Sequence, residues 1–284
     1  MKPLDLLLAV LVAIIWGVNF TFIKWGIESF EPIMMTAMRF FFTAIPLIFV
    51  IKRPKFTLTF FIYAIGTFAI QYGLLFYAMH LGASAGLSAL ILQVQVFITI
   101  FLAYLLLGEG INRWQILGLV ISVLGLALIG FNLGGDIPAM SFICILLSAT
   151  GWSFGNIASK KLMDNSPISL VVWGGLVVSV LMMAMSLILE PNAWTIQTFI
   201  NASVKSWLSL SFIVYISTLA GFGLWVYLLQ CNEAAKIMPF ALLVPVVGMF
   251  ASVILTAEAM TWWKVVAMVL IMLGLMVSRK PVKI

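Results

Sequence analysis

Long, uninterrupted apolar stretches recur along the 284-residue chain and constrain its fold more than any other feature. The hydrocarbon core of a bilayer is about 30 Å thick and a helix rises about 1.5 Å per residue, so about 20 apolar residues span it. Ten stretches approach or exceed this length: roughly 4–26, 32–51, 60–80, 84–107, 114–130, 139–160, 168–189, 207–229, 238–256 and 262–278. Segments of this length cross lipid as helices, because the helix satisfies its own backbone hydrogen bonds. We therefore predict an all-α integral membrane protein with ten transmembrane helices.

The charge content agrees with a lipid environment. Only 8% of the residues are charged and 64% are hydrophobic, whereas soluble domains carry roughly 25% charged residues. The first apolar stretch continues past residue 20 with no evident small-residue cleavage site, so we interpret it as a permanent helix and not as a signal peptide. The two cysteines do not indicate a disulfide framework.

The basic residues in the loops predict the orientation, since cytoplasmic loops are enriched in Lys and Arg. If the N-terminus is inside, the cytoplasmic side receives Lys2, Lys52, Arg53, Lys55, Arg113, Lys160, Lys161, Lys236, Arg279, Lys280 and Lys283. The outer side then receives only Lys24, Lys205 and Lys264. We therefore expect both termini to be cytoplasmic. Because the basic residues are scattered over helix ends and form no patch interleaved with aromatics, we expect no nucleic-acid partner.

An internal repeat relates the two halves of the chain. The segments 107–114 and 256–263 align at a constant offset of 149 residues. A weaker similarity, with a slip of one residue, relates the first apolar stretch to the sixth. We therefore predict two repeats, 1–131 and 139–284, with five helices each. Because five is odd, the second repeat must be inverted in the membrane, an architecture that recurs in secondary transporters.

Several short motifs are carried by the same stretches. They are Trp16-Gly17-Val18-Asn19-Phe20, Leu92-Gln93-Val94-Gln95-Val96-Phe97, Gly108-Glu109, Gly155-Asn156-Ile157 with Lys160-Lys161, and Leu242-Leu243-Val244-Pro245-Val246-Val247-Gly248. In order and spacing the chain resembles the EamA family of the drug/metabolite transporter superfamily, and within it the amino-acid exporters, including those for cysteine and O-acetylserine. It departs from that pattern at Val96, where a proline is frequent, and at 256–258, where Leu-Gly-Glu is usual.

The resemblance implies a secondary carrier of the cell inner membrane that works by alternating access. It further implies a central cavity lined by the first, third and fourth helices and by the sixth, eighth and ninth. The substrate would be an amino acid or a related small metabolite, and the direction would be export.

Polar residues inside the apolar stretches are the candidate substrate-binding residues, because such side chains are costly in lipid unless they face protein or water. Trp16 and Asn19 lie on one face of the first helix, and Trp152 and Asn156 lie on one face of the sixth. Each asparagine could instead tie two helices together by a hydrogen bond. The matching stripes in both halves favour a cavity wall.

Four further candidates lie in the third and fourth helices. Gln71 and Tyr72 fall near the middle of the third. Gln93 and Gln95 are about 200° apart around the fourth helix, so both cannot face one narrow cavity. We expect one of them to line the pathway, with Gln93 favoured, and the other to hydrogen-bond a neighbouring helix.

Three residues have two interpretations each. Trp225 could contact substrate or belong to an aromatic belt at the membrane interface. Pro245 could allow the ninth helix to bend during transport or could produce a static kink. Arg39 could bind an anionic substrate, but we expect it to extend outward or to pair with Glu31 or Glu28.

The carboxylates are all at or near the ends of apolar stretches, at Asp5, Glu28, Glu31, Glu109, Asp136, Asp164, Glu190, Glu233 and Glu258. The middle of the membrane-spanning region is therefore predicted to be polar and uncharged, which favours a neutral, zwitterionic or aromatic solute.

No phosphate-binding loop of an ATP-driven pump is present in the sequence. A membrane-embedded enzyme or a lipid-handling protein is the alternative, but an enzyme would need clustered His, Cys, Asp or Glu. We expect no cofactor and no metal, and the expected partners are a small-molecule substrate and the lipid bilayer.

Overall fold

The computed structural model describes residues 2–108, 110–134, 137–162, 164–231, 240–241 and 243–278. These residues fold into helices joined by short connections, with one isolated bridge between Gly134 and Ile137. The long helices are α1 (Pro3–Gly26), α2 (Pro32–Ala44), α3 (Leu58–His80), α4 (Ala85–Leu107), α5 (Arg113–Phe131), α6 (Ala139–Lys160), α7 (Pro167–Leu189), α8 (204–231), α9 (Leu243–Thr256) and α10 (Trp262–Ser278). A short helix, Ile196–Asn201, lies between α7 and α8.

Seven of the described helices are long and apolar enough to cross a membrane: α1, α3, α4, α5, α6, α7 and α8. The chain is therefore a multi-pass membrane protein. The helices α9 and α10 are apolar but shorter. The predicted stretch 32–51 is helical only to Ala44, and turns follow as far as residue 50. Pro46 lacks a backbone N–H and falls just after this end, which explains why the regular helix stops early.

Local sequence explains where most helices begin. The helices α1, α2 and α7 each have a proline in the first turn, where the missing N–H is not needed. The side chains of Thr57, Ser84, Asn112 and Ser203 accept backbone N–H groups at the starts of α3, α4, α5 and α8. These caps satisfy donors that have no partner within the helix.

Two helices contain π-helical segments at similar positions. The first, Ile65–Ile70, starts seven residues into α3, and the second, Phe212–Ala220, starts eight residues into α8. The helix α4 is interrupted differently, by a 3₁₀ turn at Leu92–Val94. Because π segments are rare and frequently mark functional sites, these positions direct attention to what contacts them.

The helices α5 and α10 pack antiparallel through small residues. A Cβ atom on Gly118 would collide with the carbonyl of Gly274, and one on Gly125 would lie 3.0 Å from the carbonyl of Ala267. As residue numbers rise along α5 they fall along α10, which defines the antiparallel direction. The close approach depends on the absence of a side chain at Gly118 and Gly125, as is common between membrane helices.

The remaining contacts bury the centre of the bundle. Extensive contacts join α2 with α7, α1 with α9, and α3 with α6. A Cβ atom on Gly155 of α6 would collide with the Thr67 hydroxyl of α3, so this pair also approaches closely. A cluster of aromatic residues joins α2, α3 and α7, where the rings of Phe40 and Phe68 are 4.8 Å apart. This cluster adjoins the polar site described next.

Candidate functional site

A buried arginine connects three helices. Arg39 of α2 is 1% exposed. Its Nε and Nη2 atoms donate to the Thr218 hydroxyl of α8 at 3.2 and 3.0 Å. Its guanidinium carbon lies 3.9 Å from the centroid of the Tyr72 ring of α3, within the range of a cation–π interaction. One cationic side chain therefore holds α2, α3 and α8 together.

The expectation that Arg39 extends outward or pairs with a nearby acid is wrong. Glu28 forms its ion pair with Lys205, at 2.5 Å, and Glu31 precedes α2 as an exposed residue. Arg39 instead extends into the protein, because Thr218 and the aromatic rings provide a hydrogen-bond acceptor and π faces there. The interior is thus polar but not wholly uncharged.

The π segment of α8 contacts this arginine, and the π segment of α3 ends shortly before Tyr72. Thr218 belongs to the segment in α8, and its hydroxyl donates to the Ile213 carbonyl at 2.8 Å. The adjacent Ser217 carbonyl accepts a hydrogen bond from the Trp16 indole at 3.1 Å. Tyr72 follows the segment in α3 by two residues. The irregular backbone of α8 thus coincides with its contacts to α1 and α2, and that of α3 ends two residues before its contact with Arg39 of α2.

Trp16 and Trp225, two of the predicted binding residues, are in contact. Their ring centroids are 5.3 Å apart, and Trp16 lies at the same distance from Phe222. Residue 221 must be small here, because a Cβ atom on Gly221 would lie 2.6 Å from the Trp16 indole nitrogen. Trp225 is half-buried against α1, so this side chain has a protein partner on the inner side of α8.

Gln95 and Asn156 form a second predicted pair. The Asn156 amide donates to Gln95 Oε1 at 3.1 Å and to the Thr99 hydroxyl at 3.3 Å. The Ser153 hydroxyl donates to the Gln95 carbonyl at 3.0 Å. These hydrogen bonds join α4 to α6. Gln93 lies in the 3₁₀ turn of α4 and is half-buried.

Asn19 and Gln71 each bury a side-chain oxygen that has no hydrogen-bond partner among the described residues. Asn19 is 6% exposed and Gln71 is 2% exposed. The Gln71 backbone carbonyl, by contrast, accepts the Ser148 hydroxyl of α6 at 2.7 Å. An unsatisfied buried acceptor is costly to the folded state, so these two oxygens need an explanation beyond packing.

Two further predicted residues lie elsewhere in the bundle. Trp152 is half-buried and packs against the main apolar core. Pro245 is buried in the first described turn of α9, where backbone N–H groups have no partner in the described part of the helix. The bending of the ninth helix at Pro245 remains a prediction.

A partly buried ion pair joins helix ends at one end of the bundle. Lys24, in the last turn of α1, donates to Glu258 Oε1 at 2.8 Å. The same carboxylate accepts the N–H groups of Ala85 and Gly86, at 2.9 and 3.4 Å, in the first turn of α4. We call Lys24, Glu258, Ala85 and Gly86 the latch. It joins the end of α1 and the start of α4 to the connection between α9 and α10.

The latch keeps Glu258 ionised. Burial of its side chain, which is 7% exposed, raises the pKa. The hydrogen bonds from Lys24 and Ala85, the charge of Lys24 and the Ser252 hydroxyl lower the pKa and outweigh burial, so that the net pKa is below its ordinary value. The start of α4 also favours an anion, because its free N–H groups carry partial positive charge.

The partners in both charged contacts were not predicted from the sequence. A signal existed for Arg39, because a cation seven residues inside an apolar stretch usually faces protein and has a function. Thr218 gave no such signal, since threonine is common in membrane helices. Glu258 was visible only as a helix-end acid, and its pairing with Lys24, 234 residues away, depends on the fold.

Comparison with known proteins gives one family. A model of the EamA-like transporter family matches residues 4–131 and, separately, residues 139–279. A probable amino-acid metabolite efflux pump of Escherichia coli (strain K12) is 36% identical, and the alignment covers 100% of this chain and 99% of the relative. The protein of the same name from Salmonella typhimurium is 37% identical, with coverage of 98% and 95%.

Two more distant comparisons concern location and fold. An uncharacterized inner membrane transporter of Escherichia coli is 23% identical, and the alignment covers 87% of this chain and 81% of the relative. A protein of known crystal structure has a TM-score of 0.66 with 16% sequence identity, and 98% of each chain is covered. At that identity the structural similarity concerns the fold alone.

Proposed function

Because the chain belongs to the EamA-like transporter family, we propose that it exports amino acids or related small metabolites across the cell inner membrane by alternating access. Membership in the family makes the chain a membrane transporter and not an enzyme. The names of the two relatives at 36% and 37% identity support amino-acid metabolites as cargo. The alternative of a lipid-handling protein has no support from the family or from these relatives.

The proposed architecture is ten spans in two inverted five-helix repeats, 1–131 and 139–284, in which α2, α9 and α10 also cross the membrane. The separate matches of the family to each half support this division. The π segments support it as well, since Ile65 and Phe212 start them 147 residues apart in the third helix of each half.

The contacts between α5 and α10 supply further support for an inverted repeat. At the offset of 149 residues, Gly118 corresponds to Ala267 and Gly125 to Gly274. The contact between Gly118 and Gly274 therefore corresponds to the contact between Ala267 and Gly125, and both are present. Two contacts that correspond to each other in this way are expected where a two-fold axis relates two antiparallel helices.

In the proposed orientation both termini are cytoplasmic, which the distribution of basic residues supports. The latch would then lie on the outer side, and we infer a conformation that is closed to the outside. Glu109, the counterpart of Glu258 at the 149-residue offset, lies outside the described residues.

The observation that carries the proposal is the pair of unpaired buried oxygens on Asn19 and Gln71. A solute with a hydrogen-bond donor, such as an amino acid, would satisfy them. We propose that they line the pathway with Trp16, Tyr72, Gln93, Gln95, Trp152, Asn156, Trp225 and Pro245. The interhelical bonds of Asn156 are also compatible with a purely structural role, so Asn156 requires its own test.

A flux assay in proteoliposomes tests the proposal. Vesicles with the purified protein are loaded with the twenty L-amino acids and O-acetylserine, and mass spectrometry follows exchange against external solute. We expect at least one solute to exchange faster than in protein-free vesicles. If none of them exchanges faster, the proposed function is wrong.

Single substitutions then test the pathway residues. Asn19→Leu and Gln71→Leu each remove an oxygen that has no partner, so the variants should fold and transport should fall. Gln197→Leu, at an exposed position in the connection after α7, is the matched control and should leave transport unchanged. Asn156→Leu removes two hydrogen bonds and is interpreted only if its thermal stability is close to that of the natural protein. Full transport in folded Asn19→Leu and Gln71→Leu would exclude both side chains from the pathway.

A further inference from the structure

The environment of Arg39 is unusual for a buried cation. A guanidinium has five N–H donors. The hydrogen bonds from Nε and Nη2 both go to one neutral hydroxyl, that of Thr218. The Nη1 atom is buried and has no hydrogen-bond partner among the described residues. Aromatic rings complete the surroundings, with the centroids of Tyr72, Phe40 and Phe76 at 3.9, 5.4 and 5.9 Å from the guanidinium carbon.

The carboxylates around the start of α2 form no ion pair with Arg39: Glu31 is exposed, and Glu28 and Glu190 have other partners. Glu28 pairs with exposed Lys205. Glu190 accepts the N–H groups of Ile33 and Met34, in the first turn of α2. In the described part of the chain no carboxylate forms an ion pair with Arg39. A buried charge normally has a counter-ion, because desolvation of an unpaired ion is strongly unfavourable. Among the described residues, this cation has aromatic rings and the neutral hydroxyl groups of Thr218 and Tyr72 around it, and no carboxylate pairs with it.

A purely structural role explains this arrangement poorly. A static connection between α2, α3 and α8 could be made by a neutral side chain at lower desolvation cost, or by an arginine with a carboxylate partner. The free Nη1 donor and the absent counter-charge instead match what an external anion would provide. Carboxylates are bound well by guanidinium groups, because two parallel N–H donors fit the two oxygens.

We propose that the guanidinium of Arg39 binds the α-carboxylate of the transported amino acid. This inference rests on the proposed function, and it assigns to the site a class of ligand, namely solutes with a carboxylate. Arg39 is enclosed in the present conformation, so a solute reaches it when α2 separates from α3 or α8 on one side. The π segment of α8 contains Thr218 and that of α3 ends two residues before Tyr72, so both helices depart from regular geometry at or next to these contacts.

The test compares each exchanged amino acid with its α-carboxamide, which keeps the side chain and the ammonium group but lacks the negative charge. In proteoliposomes of the natural protein we expect the carboxamide to exchange at least about 30-fold more slowly, as is typical when one member of a buried charge pair is lost. This comparison needs no variant and so does not depend on the folding of a mutant.

Arg39→Gln provides the complementary measurement. Its exchange of the amino acid should fall at least about 30-fold, and the ratio of amino acid to carboxamide should approach one. A structural role alone would lower both rates together and leave the ratio unchanged. Arg39→Lys keeps the charge and should retain part of the preference for the amino acid. Lys205→Gln, a loss of an exposed cation, is the control and should keep both the rate and the ratio.

The outcomes separate the two proposals. If amino acids exchange but their carboxamides exchange equally fast, or if Arg39→Gln keeps the preference, the assignment of Arg39 is wrong and the proposed function stands. If neither amino acids nor carboxamides exchange in the natural protein, the proposed function fails, and the assignment of Arg39 fails with it.

Discussion

Replacement of Glu258 by glutamine would test the latch with minimal change in shape. The glutamine has the same length and keeps one acceptor oxygen, so it can still accept the Ala85 N–H. It loses the negative charge that Lys24 contacts at 2.8 Å and that faces the first turn of α4. We expect the folded protein to remain intact and the closed conformation of this end of the bundle to become less stable.

The magnitude follows from two contributions. The Lys24 side chain is 34% exposed, so solvent screening limits its ion pair to about 0.5–1 kcal/mol. The carboxylate at the start of α4 contributes about 1 kcal/mol more through the charge of the helix terminus. The sum, about 1.5–2 kcal/mol, corresponds to an increase of about 10–30-fold in the population of the open conformation.

Cysteine labelling measures this population. Leu87 of α4 is 1% exposed and lines the same small cavity as Glu258. In a chain with Cys144 and Cys231 replaced by serine, Leu87→Cys would react with a membrane-impermeant maleimide only after the latch opens. When opening and closing are fast relative to labelling, the rate is proportional to the open population. Glu258→Gln should therefore increase the labelling rate about 10–30-fold.

Glu28→Gln is the matched control, because it removes a carboxylate from an ion pair with both partners about half exposed. It should change the labelling rate of Leu87→Cys by no more than about fivefold. An unchanged rate in Glu258→Gln, or an equal increase in Glu28→Gln, would refute the view that Glu258 holds this end closed.

The pH dependence of the latch has a defined sign. The pKa of Glu258 in the closed conformation is below its ordinary value of 4.5, so the ionised carboxylate stabilises closure. This stabilisation is fully present above about pH 4.5 and is lost as the pH falls through the lowered pKa. The labelling ratio between Glu258→Gln and the parent should therefore stay constant from about pH 5 to 8 and decrease below about pH 4.5. A decrease between pH 8 and 6 would contradict this assignment.

Two further predictions concern packing. Gly118→Ala should destabilise the contact of α5 with Gly274 by about 1–3 kcal/mol, because the added Cβ atom meets backbone, whereas Gly130→Ala in the same helix meets nothing within 4 Å. Thermal unfolding in detergent should show a lower midpoint for Gly118→Ala only, and equal midpoints would contradict the close packing. Trp16→Phe keeps the aromatic packing but loses the hydrogen bond to the Ser217 carbonyl. It should cost about 1 kcal/mol in the same assay, and no change would mean that this hydrogen bond contributes nothing.

Much of the fold could be predicted because lipid simplifies the problem. A segment in hydrocarbon must satisfy its backbone within itself, so length and apolarity identify helices directly. The proline and hydroxyl caps mark helix starts as they do in water. The errors concern helix ends, as at Ala44, where Pro46 interrupts a stretch that is apolar throughout. The π segments had no recognisable signal in the sequence, because they depend on the insertion of one backbone group into the regular hydrogen-bond pattern of the helix.

The candidate site was less predictable, because membrane helices are apolar on faces that contact lipid and on faces that contact protein alike. Periodicity therefore does not tell which way a side chain points. Helix spacing places Trp16 and Asn19 on one face of α1, but nothing local indicated that Trp16 would contact Ser217. The same applies to Arg39. The sequence showed how deep this residue lies in its apolar stretch, but not that its side chain points into the protein.

The sequence by itself determined the class of protein, the helical segments and the family, because these follow from local composition and from motifs that are contiguous in the chain. Only the tertiary structure decided which polar groups meet: Arg39 with Thr218, Asn156 with Gln95, and Lys24 with Glu258. These pairs are 179, 61 and 234 residues apart. Their contacts depend on the rotation of each helix about its axis, which close packing of small residues sets and which an apolar sequence does not encode locally.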